Sequence, residues 1–142
     1  MEAQPLIIEQ LLHASVEKVW TAITDKDVMK QWYFDIKGFR AEEGASFSFY
    51  GGDENKQYLH LCKVTEVVPH KKLTYSWQYD NVPGISYVTF ELFDEDSETK
   101  VRLTHSGVES FDIDDSNFKR ESFEKGWTYI IKTSLKTFID KP

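Results

Sequence analysis

Between Ala45 and Ser106 apolar and polar residues alternate with a period of two, segment after segment, and no other pattern in the chain limits its fold as much. Phe47 and Phe49 alternate with Ser46 and Ser48, and Leu73, Tyr75, Trp77 and Tyr79 alternate with Thr74, Ser76, Gln78 and Asp80. Ser86, Val88, Phe90 and Leu92 share one face of the following segment, and Val101, Leu103 and His105 share one face of the next. Successive side chains of a strand point to opposite faces, so each run reads as a strand with one buried and one wet side. Tyr58 to Val68 is a further strand, ended by Pro69-His70-Lys71-Lys72. The connections carry turn residues: Gly51-Gly52-Asp53-Glu54-Asn55, Asn81-Val82-Pro83-Gly84, and Asp94 to Glu98. Strands joined this closely pair as an antiparallel meander.

The flanks change period. Pro5 opens an extended apolar run, Leu6-Ile7-Ile8 and Leu11-Leu12, that reads as a first strand. Ser15 can cap a helix carrying Val16, Val19, Trp20 and Ile23 at helical spacing, and Asp25 or Asp27 can cap a short second helix with Val28, Met29 and Trp32. After an acidic loop (Asp112, Asp114, Asp115), Ser116 can cap a final helix from about Asn117 to Asp140. Its apolar residues Phe123, Trp127, Ile130, Ile131, Leu135 and Phe138 make one stripe over roughly twenty residues, or about 30 Å. The order β-α-α-β-β-β-β-β-α over residues 1–142 predicts a single α+β domain. Its economical form is a curved antiparallel sheet of about six strands wrapped around the long C-terminal helix, with two short helices after the first strand.

Charge and cysteine content narrow the function classes. A net charge of −7 and a pI near 5.1, with no basic stripe, argue against binding nucleic acid or anionic lipid through electrostatics. Cys62 is the only cysteine, so neither an internal disulfide nor a cysteine-based zinc site is expected. The first residues lack a basic start before an apolar run, and no apolar stretch approaches the roughly eighteen residues that span a bilayer. A cytoplasmic protein without membrane insertion is expected.

Several ordered motifs together resemble a known family. They are Ala14-Ser15-Val16-Glu17-Lys18-Val19-Trp20, then Trp32, then Gly44-Ala45-Ser46-Phe47-Ser48-Phe49. Glu66-Val67-Val68-Pro69, Leu73-Thr74-Tyr75-Ser76-Trp77 and Leu103-Thr104-His105-Ser106-Gly107 follow, and Gly126-Trp127 with Leu135 closes the set. Spanning nearly the whole chain, it resembles the START-like (SRPBCC) superfamily, in particular the branch named after the activator of heat shock protein 90 ATPase. That resemblance implies a helix-grip fold built around an apolar cavity between sheet and helix. Members bind lipids, polyketides, sterols or hormones; a few catalyse ring closures, and others are chaperone partners. The eukaryotic activator carries a further N-terminal chaperone-binding domain for which this chain has no room. One departure is visible: where the family often has a glycine before the Val-Pro corner, this chain has Cys62-Lys63-Val64, and a side chain there narrows the space beside the sheet.

Aromatic residues are abundant, at 15% of the chain. Trp32, Phe47, Phe49, Tyr75, Trp77, Phe90 and Trp127 converge from several elements if the sheet curves around the helix. They either fill the interior or, as the resemblance implies, line a cavity. With Val88, Leu103, His105 and Ile131 they form the expected ligand-binding set. His105 shares the inward parity of Val101 and Leu103, as a buried neutral histidine satisfied by a hydrogen bond or as a ligand contact. His13, His60 and His70 are scattered and show no metal-ligand spacing. Gly51-Gly52-Asp53-Glu54 reads as a hairpin, not a nucleotide site, and the acidic loops lack the glycine and terminal glutamate of a calcium loop. No catalytic residue, metal or cofactor is assigned, since no nucleophile elbow or phosphate loop is present. The expected function is binding a small hydrophobic molecule, lipid-like or aromatic and polyketide-like, in an internal cavity. A chaperone co-regulator working through its surface is the alternative, and a cyclase- or hydrolase-like enzyme using the same cavity is a third. A monomer or weak homodimer is expected.

Overall fold

Leu6, Ile8 and Leu12 turn inward from the first strand, β1 (Leu6–Leu12), while Ile7 and Leu11 stay exposed on the other face. This computed structural model describes residues 4–36, 38–52, 56–111, 113, 115 and 118–140. Two short helices follow β1. In α1 (Val16–Thr24) the Ser15 hydroxyl accepts from the Lys18 amide, and in α2 (Lys26–Met29) the Asp25 carboxylate accepts from the amides of Asp27 and Val28. Both caps satisfy amides that the first helical turn leaves without partners.

The meander is β2 (Ser46–Gly52), β3 (Gln57–Val68), β4 (Lys72–Tyr79), β5 (Val82–Glu95) and β6 (Glu98–Ser106). With β1 it forms one six-stranded antiparallel sheet in the order β1-β6-β5-β4-β3-β2. Register puts the expected inward residues on one face, where Tyr75 pairs with Val88 and Phe90 with Leu103. The turns are tighter than their sequences suggest. The chain reverses at Asn81 and at Asp96, both with positive φ, and Val82 already belongs to β5. Two irregularities bend the sheet. Thr65 is an extra residue between the pairs Val64–Tyr75 and Glu66–Thr74, and the β4–β5 register shifts between Trp77 and Tyr79. At the second, Gly84 (φ 119°) runs so close to the Ser110 carbonyl that a Cβ would sit 2.6 Å from its oxygen.

The C-terminal helix crosses the concave face, completing the helix-grip arrangement. The described part begins as α3 (Arg120–Thr128), and the expected cap Ser116 and start at Asn117 lie outside the described residues. Its middle differs from a uniform α-helix: Tyr129–Leu135 is π-helical, and α4 (Lys136–Asp140) ends it. The buried stripe explains why. It consists of Phe123, Trp127, Ile131, Leu135 and Ile139, a strict four-residue repeat, with Ile130 and Phe138 only half-buried beside it. In an α-helix four residues overshoot one turn by about 40°, so from Phe123 to Ile139 the stripe would drift by about 160° and leave the sheet. A π turn takes more than four residues, so the drift reverses there and the stripe stays on the sheet.

Candidate ligand cleft

Small residues on the helix, not large ones, open a space against the sheet. One turn apart on α3, Ser122 and Gly126 lie beside the buried Phe123–Trp127 stripe, and Ile130 continues their row. Opposite them stand Tyr58 and His60 of β3, Trp77 and Tyr79 of β4, and Gly51 of β2. Phe34 and Phe118, from connections, close the sides. The resulting cleft has a volume of about 270 Å³. Its floor is buried (His60, Trp77, Tyr79, Trp127) and its rim half-buried (Phe34, Tyr58, Ser122, Ile130), so it opens toward solvent beside α3. Gly126 is exposed, and a Cβ built on it meets no atom within 4 Å. Gly51 acts differently. A Cβ there would lie 3.0 Å from the Phe34 ring and 3.1 Å from the His60 ring, so its lack of a side chain lets both rings lie against β2.

The rings of the floor are held by one another. His60 stacks on Phe49 at 4.5 Å and meets the edge of Trp77 at 4.8 Å; Trp77 and Trp127 lie 5.6 Å apart. The Trp77 indole donates to the Tyr79 hydroxyl at 2.8 Å. At the rim the Tyr58 hydroxyl donates to Asp115 Oδ2 at 2.8 Å, and Lys56 Nζ lies 3.5 Å from the same oxygen. Burial pushes the Tyr79 phenol well above its ordinary pKa. His60 is lowered to about 4, because burial outweighs the carbonyls of Tyr58 and Phe49 that favour its protonated form.

Of the expected ligand-binding residues, Trp77 and Trp127 border this cleft. Trp32, Phe47, Phe49, Tyr75, Val88, Phe90, Leu103, His105 and Ile131 are buried but do not border it; they pack the interior behind and beyond it. Trp32 donates to the Ala22 carbonyl at 2.8 Å and so ties the segment after α2 to α1. Tyr75 shares a hydrogen bond of 2.9 Å with Tyr33 in the same interior. His105 is committed at both nitrogens. The Trp127 indole N–H, which can only donate, meets Nδ1 at 2.8 Å, so Nδ1 holds a lone pair and the proton sits on Nε2. Nε2–H therefore donates to Ser86 Oγ at 2.8 Å, and that hydroxyl donates to the Trp77 carbonyl at 3.1 Å. This chain of donors joins the helix to three strands, β6, β5 and β4, and fixes the Trp127 ring where it walls the cleft.

Phe34, Tyr58, His60, Phe118, Ser122 and Gly126 were not singled out from the sequence as lining residues. The one readable signal was Gly126, because a glycine inside a helix costs about 1 kcal/mol relative to alanine and suggests a use for open space. A larger hollow of about 580 Å³ lies elsewhere, where Val16, Val68, Leu92 and Phe93 share the lining with the charged Lys71, Lys72, Glu91 and Asp94. Among the described residues no three His, Cys, Asp or Glu side chains converge as a metal site. No helix among them is long and apolar enough to cross a membrane.

Known proteins place this architecture. A mouse protein, activator of 90 kDa heat shock protein ATPase homolog 2, is 25% identical over 105 residues, which are 72% of this chain but 30% of the mouse protein. The chain thus spans less than a third of that relative. The crystal structure of CalU16 from Micromonospora echinospora is 26% identical, with a TM-score of 0.72 over 94% of this chain and 74% of that one. Protein MLL2253 from Mesorhizobium loti, 24% identical, shares the fold with a TM-score of 0.76 over 96% of this chain and 97% of its own. The family described as activator of Hsp90 ATPase homolog 1-like protein matches residues 13–140, and the chain belongs to that family.

Proposed function

We propose that the protein binds a small planar aromatic molecule in the cleft between β3, β4 and α3. The observation that carries this reading is an apolar space of about 270 Å³ walled by rings from both sheet and helix and open on one side. An apolar cavity of about 150 Å³ accepts benzene, so this one suits a fused two-ring compound and is small for a long lipid chain. Stacked and edge-on rings favour a flat partner, because the existing wall already presents ring faces and edges. His105, with both nitrogens engaged inside the core, serves in this reading to position Trp127 and not as an acid or base. The chaperone co-regulator alternative rests on the family name, and the cleft geometry favours the binder.

The test is a titration with 2-methylnaphthalene. Wild type should show quenched tryptophan fluorescence and a raised Tm, because a ligand held only by the folded state stabilises it by mass action. In Gly126→Phe, where the added ring enters open space at the cleft, both responses should disappear. No response in wild type, or an unchanged one in Gly126→Phe, would contradict the reading.

A further inference from the structure

His60 is a polar ring in an apolar room, and one of its nitrogens has no task inside the protein. Nδ1 lies 2.9 Å from the Tyr58 carbonyl oxygen. A carbonyl only accepts, so Nδ1 carries the proton and Nε2 of the neutral ring carries a lone pair. The Phe49 carbonyl also lies beside the ring and, with that of Tyr58, favours its protonated form. The hydrogen bond made by the ring is through Nδ1, and none reaches Nε2 from the described residues. Yet among those residues no fully buried side-chain nitrogen or oxygen lacks a partner. Nε2 is therefore accessible although the residue is only 5% exposed, and the space that His60 borders is the cleft. The ring cannot readily turn away, since Phe49 stacks on it and Trp77 and Tyr79 pack at 4.8 and 4.7 Å. Burial also keeps it neutral, and an acceptor, at ordinary pH. Tyr79 adds the complementary half. Its oxygen accepts from Trp77, and its own proton has no acceptor among the described residues.

We propose that the ligand of this cleft is of the phenol class: an aromatic system bearing a hydroxyl group that donates its proton in a hydrogen bond to Nε2 of His60. This rests on the binding reading above and narrows it. A hydrocarbon would cover Nε2 without offering a donor, and a buried acceptor left unpaired is costly. A hydroxyl satisfies it, and the ligand oxygen can accept from Tyr79 in return.

Three probes of one shape separate the possibilities. 2-Naphthol can donate, 2-methoxynaphthalene can only accept, and 2-methylnaphthalene can do neither. Wild type should bind 2-naphthol about tenfold more tightly than 2-methylnaphthalene, while 2-methoxynaphthalene should show no such gain. In His60→Phe, which keeps an aromatic ring in the floor, 2-methylnaphthalene should still bind and 2-naphthol should lose its advantage over 2-methoxynaphthalene. Should that variant fold poorly, the ¹⁵N resonance of Nε2 decides in wild type: it should move with 2-naphthol and stay with 2-methylnaphthalene. Equal affinity for the three probes with a stationary resonance would overturn the phenol assignment and leave the binding reading intact. Binding of none of them would overturn both.

Discussion

Both ring nitrogens of His105 are engaged, and that makes a surface-invisible residue measurable. Burial lowers its pKa to about 3, and His60 adds to the effect through charge repulsion; His60 itself is lowered to about 4. In the unfolded chain both titrate near 6.5. From about pH 6.5 down to about 4 the unfolded state therefore binds protons that the folded state refuses. Stability falls with pH in that window, by up to about 1.4 kcal/mol per pH unit for each histidine. Above pH 6.5 both are neutral in either state and contribute no slope. Urea denaturation of His105→Phe should thus give a flatter profile than wild type between about pH 6 and pH 4.5. At neutral pH the variant should be less stable by about 1–3 kcal/mol, the cost of stranding the Trp127 N–H. A parallel profile would show that His105 takes up protons in the fold. Parity along β6 told that His105 points inward; its partners were illegible, because Trp127 and Ser86 reach it from elements distant in sequence.

At the scale of the element, the C-terminal helix carries two stripes with different duties. The buried one holds the fold. The small one, Ser122 and Gly126, leaves room for the cleft. Gly126→Ala should raise stability by about 0.5–1 kcal/mol, since alanine costs less conformational entropy in a helix and its Cβ meets nothing within 4 Å. Chemical denaturation reads this directly, and a loss of stability would mean that the space beside residue 126 is not open. The four-residue repeat from Phe123 to Leu135 is present in the sequence, but the sequence stripe ends on Phe138, whereas the structure buries Ile139. Taking Ile139 instead shows a repeat that a uniform α-helix cannot keep on one face, which is the trace the π-helical turn leaves. The cleft was less legible for a related reason. Large apolar residues mark where a fold is filled, whereas a cleft is marked by the side chains that are small. Phe34 and Phe118 were hidden further, because they lie in connections where no period applies.

Across the whole molecule, alternation along the strands decided the faces, and short connections decided antiparallel pairing, so the curved sheet and its helix followed from local patterns. The bulge at Thr65 and the register shift near Tyr79 did not follow, because they depend on partners across the sheet. Of the residues expected around a ligand, Trp77 and Trp127 border the cleft while the others pack the interior, and the cleft lies at one side, where β2, β3 and β4 meet α3. The sheet thus has two unlike surfaces. The concave one holds the cleft, and the convex one exposes Ile7, Ile85 and Tyr87. An aromatic compound attracted merely by exposed apolar groups would collect on the convex side. The central claim is location, and intermolecular nuclear Overhauser effects from bound 2-naphthol test it most directly. The cleft account predicts contacts to the ring protons of Trp127, Phe118 and Tyr58, with none to Ile7, Ile85 or Tyr87; contacts confined to the convex residues would contradict it.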